Sequence, residues 1–143
     1  MTKQIANIGD VFEVPLDDKS SVLGQIVEIE KEVLNCITCV FFYSRNEKSI
    51  NTLKPISIQF VTKDLFNSGK WKRIGNEKVQ IPETSLPYRE TKENGWVGAK
   101  VIGSGIIVKF LSAFYGQRQW NEMKDPNYYN NLLLPGVNHV ASA

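Results

Sequence analysis

Hydrophobic and polar positions alternate through the first part of the chain. In "DVFEVPL", Phe12, Val14 and Leu16 fall on one side and Val11, Glu13 and Pro15 on the other. This period of two predicts a strand with Phe12, Val14 and Leu16 in the core and Glu13 toward solvent. Gly9-Asp10 before it and "DDKSS" at 17–21 after it read as turns. "VLGQIVEIEKE" alternates again. Ile26 shares a side with Glu28, Glu30 and Glu32, while Val27, Ile29 and Lys31 take the other, which predicts a strand with an acidic outer face. "NCITCVFFYS", residues 35–44, is rich in β-branched and aromatic residues and reads as the next strand, antiparallel to its predecessor. "PISIQFV" at 55–61 is a further strand, with "WKRIG" at 71–75 and "KVQIP" at 78–82 as shorter candidates.

Helical signals are fewer and come later. "TKDLFNSGK" predicts a single helical turn, with Thr62 as N-cap and Gly69 as its left-handed terminator. A polar loop follows at 83–95. Gly103-Ser104-Gly105 lies between two apolar runs and reads as a hairpin turn. From Ile107 the spacing changes: Ile107, Phe110, Leu111 and Phe114 fit a helical face ending at Gly116, so 104–116 is strand, helix, or one running into the other. Asp125-Pro126 places a capping residue before a proline at the first helical position, with Tyr128, Tyr129 and Leu132–Leu134 as an apolar face and Pro135 as the stop. Residues 136–143 read as a frayed tail. The expectation is a single domain over 1–143, α+β but mainly β: a curved antiparallel sheet or small barrel with short C-terminal helices packed on it.

Composition agrees with a globular chain of this kind: 143 residues, 42% hydrophobic and 22% charged. The N-terminus lacks the long apolar core of a secretory signal. Two cysteines make no disulfide framework, so a reducing location, the cytoplasm of a bacterium, is expected. Net charge is only +2, but it is unevenly spread. Residues 1–34 hold seven acidic residues against three lysines, a balance of −4, which leaves +6 on the rest. An acidic face of this kind suits a basic protein partner.

Cys36 and Cys39 form a CxxC, which raises thiol redox chemistry and zinc. In a strand the two side chains point to opposite faces, so they can neither share a tetrahedral metal nor form an unstrained disulfide. A redox CxxC needs a helix N-terminus, and Val-Phe-Phe-Tyr follows instead. Both are read as packing residues, and neither a cofactor nor a metal site is expected. A lone His139 argues against a Ser-His-Asp or Cys-His arrangement. The Gly-Ser-Gly at 103–105 lacks the Lys-Ser/Thr of a phosphate loop. Asp17-Asp18 reads as a solvated turn. No catalytic residue is assigned.

Two binding surfaces remain. Glu28, Glu30 and Glu32, projecting from one strand face, form an acidic comb suited to a protein partner. Trp96 joins them as a candidate contact, because tryptophan is enriched at binding hot spots. The alternative is a nucleic-acid-binding barrel using Lys63, Lys70, Lys72 and Arg73 around Phe66 and Trp71. No membrane partner is indicated.

The run "IGDVFEVPLDDKSSVLGQIV", followed later by "GKWKRIG", resembles the immunity protein 26 family, small bacterial proteins of polymorphic toxin systems. The resemblance rests on Gly9, Asp10, Phe12, Pro15, Leu16, Gly24, Trp71, Ile74 and Gly75 and spans roughly the first 80 residues. It implies a mainly β protein without catalysis that protects a cell by binding a cognate toxin. Inhibitors of cationic nuclease toxins tend to be strongly acidic, and this chain is slightly basic overall. The resemblance therefore leaves open a toxin that is not a nuclease, or contact through the acidic N-terminal sheet alone.

Overall fold

The alternating segments become strands because each places apolar side chains on a face that another layer covers. The computed structural model describes residues 3–82, 91–97 and 99–140; residues 83–90 of the expected polar loop and the last three residues of the expected tail lie outside them. Strands β1 (Asp10–Pro15), β2 (Ser21–Glu30), β3 (Cys36–Phe42) and β4 (Pro55–Val61) form an antiparallel meander. A one-turn helix α1 (Asp64–Asn67) then leads across the sheet to β5 (Lys72–Asn76), which pairs with β1 at the far edge. The two-residue strand β6 (Val101–Ile102) pairs in parallel with β4 and feeds helix α2 (Ser104–Phe114). The sheet order is β5-β1-β2-β3-β4-β6, so the sheet is mixed and open, with β5 and β6 as its edges. The mainly β, α+β expectation holds; the closed barrel does not form.

One face of the sheet carries the main core. Phe12, Val14, Leu16, Ile26, Ile37, Cys39 and Phe41 meet Phe66 and Trp71 of the crossover and Ile107, Phe110, Leu111 and Phe114 of α2. The helical spacing from Ile107 is thus a true helix face, and Gly116 ends it at φ +81°. The opposite face buries Val11, Leu23, Val27, Val40, Phe42 and Ile50 beneath Leu53, Val79 and Ile81. Val11 is therefore fully buried, and Glu13 beside it is half-buried and paired with Lys48 rather than pointing freely to water.

Several local expectations are corrected. Gly103-Ser104-Gly105 is no hairpin: Gly103, in extended backbone, is the N-cap of α2. Thr62 does not cap α1. Its hydroxyl donates to Asp64 Oδ1 (2.6 Å) and accepts the Ser104 N–H (2.9 Å), tying the crossover to the start of α2. Residues 78–82 form no strand, although Val79 and Ile81 cover the second face. The Asp125-Pro126 segment makes turns and a 3-10 helix at Asn130–Leu132 instead of an α-helix, although the Asp125 carboxylate accepts the Asn127 N–H (2.9 Å) as an N-cap would. The tail is held as far as it is described: Val137 packs on the core, and His139 stacks on Trp120 at 4.1 Å.

Cys36 and Cys39 lie on opposite faces of β3 and are both buried. Burial pushes the Cys36 thiol up to about 11, with the Glu30 carboxylate adding to the shift. Burial also raises the Cys39 thiol well above its ordinary value. Both thiols should be inert to a thiol-specific chromophore in the native state and should titrate fully in denaturant. Replacement of either by alanine should cost about 1–2 kcal/mol. Rapid native-state labelling would contradict their packing role.

Candidate functional site

The residues that carry the sequence signature converge, and what they build is structural. Gly9 turns at φ +94° so that its N–H reaches Ile26 O (2.7 Å) and its carbonyl accepts from Glu77 N–H (2.9 Å). The Asp10 carboxylate is buried and accepts from Asn7 N–H (3.0 Å), Arg73 Nη1 (3.2 Å) and Asn76 Nδ2 (3.0 Å). Phe12 stacks on Trp71, with centroids 5.2 Å apart and planes 5° from parallel. Gly24 lies opposite Phe12 across the β1–β2 ladder, where a Cβ would come within 2.6 Å of the ring. Gly75 pairs with Val11, and Ile74 is the bulged residue that re-registers β5. Pro15 ends β1 on an exposed position, and Leu16 enters the core.

The acidic comb is taken apart by a bulge. The register shifts between Ile26 and Glu28, so Ile29, not Glu28, continues on the side of Ile26. Glu28 faces Thr38, and Thr38 faces Phe60 on β4. Glu28 is half-buried. Glu30 is buried, and its Oε1 accepts the backbone N–H groups of Glu32 (2.7 Å), Val33 (2.5 Å) and Leu34 (3.3 Å). Only Glu32 is exposed, and it lies in the turn beyond the strand. Trp96 is half-buried at φ +65° and packs edge-on against Phe60 at 6.4 Å. Glu28, Glu30 and Trp96 thus share one face of the sheet, but as packed residues rather than a projecting row.

The Glu30 carboxylate organises the β2–β3 turn, and the Val33 N–H chiefly holds its pKa below the ordinary 4.5. Asp18 and Asp64 are lowered by the hydroxyls of Ser20 and Thr62, and Glu122 by Arg118. All four are depressed, so the folded chain binds fewer protons than the unfolded one just below the ordinary values. Their stabilisation is complete above the ordinary 3.8 of aspartate and 4.5 of glutamate and fades as pH falls through the lower folded values. Melting temperature should therefore drop between about pH 5 and about pH 3. Glu30→Gln should flatten that slope and speed amide exchange at residues 32–34. A pH-independent melt would contradict the assignment.

The basic cluster also disperses. Lys63 Nζ donates to Asn35 Oδ1 (2.5 Å), and Arg73 is engaged by Asp10. Phe66 and Trp71 are fully buried, which removes them as stacking platforms. Lys70 and Lys72 instead line a groove with Lys19 and Lys48, residues that no sequence window joins. Ser104 Oγ donates to Asp64 Oδ1 (2.7 Å), a contact that links α2 to the crossover. Among the described residues no three His, Cys, Asp or Glu side chains gather as metal ligands.

The family model for immunity protein 26 matches residues 7–98, from the turn before β1 to just past Trp96. The chain belongs to the immunity protein 26 family. No curated protein and no solved structure matches it.

Proposed function

We propose that this chain is a non-catalytic immunity protein that binds a cognate bacterial toxin in the cytoplasm and neutralises it. The observation that carries this reading is the family match over 7–98, taken with the use its signature residues are put to. Gly9, Asp10, Phe12, Gly24 and Trp71 are spent on packing and hydrogen bonding the sheet, which leaves the surface to carry recognition. Both thiols are buried and raised, and the carboxylate that the Ser104 hydroxyl meets, Asp64, is held below its ordinary value and is a weak base, which favours binding over nucleophilic chemistry. A binding protein needs only a rigid scaffold, and two packed sheet faces supply one.

The test is protection in cells. The toxin domain encoded in the adjacent reading frame is expressed with and without this chain. Growth should stop without it and resume with it. Growth arrest in both cultures, with the chain present and folded, would reject the reading.

A further inference from the structure

Among the described residues the arginines are paired with carboxylates, whereas several lysines gather. Arg45 pairs with Asp18, Arg73 with Asp10, and Arg118 with Asp17 and Glu122. By contrast, a groove of about 310 Å³ beside β1 is lined by Lys19, Lys48, Lys70 and Lys72, with Glu13 and Asn46 between them. Lys48 meets Glu13 at 2.8 Å. Among the described residues Lys19, Lys70 and Lys72 have no carboxylate within ion-pair range. Four ammonium groups against one carboxylate leave a concentrated positive field on a chain whose net charge is only +2.

The backbones beneath these lysines are locked. Lys19 sits in the β1–β2 turn at φ +71°, its N–H donating to Leu16 O (2.9 Å). Asn46 clamps the loop carrying Lys48 to the start of β2: its Oδ1 accepts Ser21 N–H (3.0 Å) and its own N–H donates to Ser21 O (2.9 Å). Lys72 stands opposite Glu13 in the β1–β5 ladder, and Lys70 follows the left-handed Gly69. Like charges held together repel, and an opposing anionic surface relieves that repulsion while gaining speed of encounter.

The geometry points to this groove as the docking surface for an acidic patch on the partner protein, an inference that rests on the toxin-binding reading and adds the partner's charge to it. Protein carboxylates suit it better than a phosphate backbone. None of the lining residues is aromatic, so no nucleic-acid base can stack there. The cations are lysines, compact charges on flexible stems that can each meet a separate carboxylate on a protein surface.

The experiment measures association of the toxin domain from the adjacent reading frame with wild-type chain, Lys70→Glu/Lys72→Glu, Lys19→Glu/Lys70→Glu, and a control, Lys100→Glu/Lys124→Glu. Rates are compared at about 0.01 M salt, where the Debye length is about 30 Å, and at about 1 M, where it is about 3 Å. The second variant guards against a loss due to placing Lys72→Glu opposite Glu13, and thermal melts verify folding of each. Both groove variants should associate about tenfold or more slowly at low salt and converge with wild type at high salt, while the control changes little. Undiminished association of a folded groove variant would overturn the inference and leave the toxin-binding reading standing. Failure of the wild type to bind the toxin would overturn both. Tight binding of a single-stranded oligonucleotide that the groove variants abolish would overturn the protein partner in favour of nucleic acid.

Discussion

Phe12→Ala should lower the unfolding free energy by about 3–5 kcal/mol. The ring is fully buried and is the centre of an aromatic cluster: stacked on Trp71 at 5.2 Å, edge-on to Phe66 at 5.6 Å, and edge-on to Phe41 at 6.3 Å. Those partners come from β3, α1 and the residue before β5, so the ring joins the meander to its crossover. Its removal deletes the transfer energy and leaves a cavity that three aromatic walls, each held by other contacts, cannot close. A domain of this size has about 5–15 kcal/mol in total, so the loss is at least about a fifth of its stability. Urea unfolding followed by tryptophan fluorescence measures it. A loss under about 1 kcal/mol would mean that Phe12 is not central to the core.

Gly24→Ala should cost about 2–3 kcal/mol, with the same ring as the reason. A Cβ at this position would lie 2.6 Å from Phe12 Cζ, 2.8 Å from Cε2 and 3.1 Å from Phe41 Cδ1. Phe12 cannot swing away because Trp71 lies flat against it. The glycine is therefore required for space. The double variant Phe12→Leu/Gly24→Ala should be more stable than the sum of the single effects predicts, by about 1 kcal/mol or more, because the smaller side chain yields to the new methyl. Strict additivity in the same urea experiment would show that the clash is relieved elsewhere.

Much of this architecture is written in local pattern. Period-two alternation marks β1 and β3, and it divides the cysteines between faces as the structure does. The i, i+3, i+4, i+7 spacing of Ile107, Phe110, Leu111 and Phe114 marks the buried side of α2. The failures have specific causes. The bulge at Val27 has no compositional signal, yet one extra residue turns Glu28 and Glu30 away from the side of Ile26 and dissolves the acidic comb. Gly103 caps a helix in the same sequence context that would suit a hairpin. Asp125 makes the N-cap bond to Asn127, yet the chain beyond it closes into turns and a 3-10 helix, so a helix-start signature opens no α-helix. The lysine groove combines positions 19, 48, 70 and 72, brought together by the pairing of β1 with β2 and β5 and by the Asn46–Ser21 bonds that hold the loop of Lys48. Sequence proximity instead grouped Lys63 and Arg73 with Lys70 and Lys72, although the fold commits the first two to Asn35 and Asp10.

The central claim is that this chain works by forming a stable complex with a toxin. Isothermal titration of the purified toxin domain from the adjacent reading frame into the purified chain tests it most directly. The account predicts saturable heat at one-to-one stoichiometry, a complex that co-elutes in size exclusion, and a toxin inactive within it. Absence of heat and of a complex, with the chain folded and the toxin active, would contradict it.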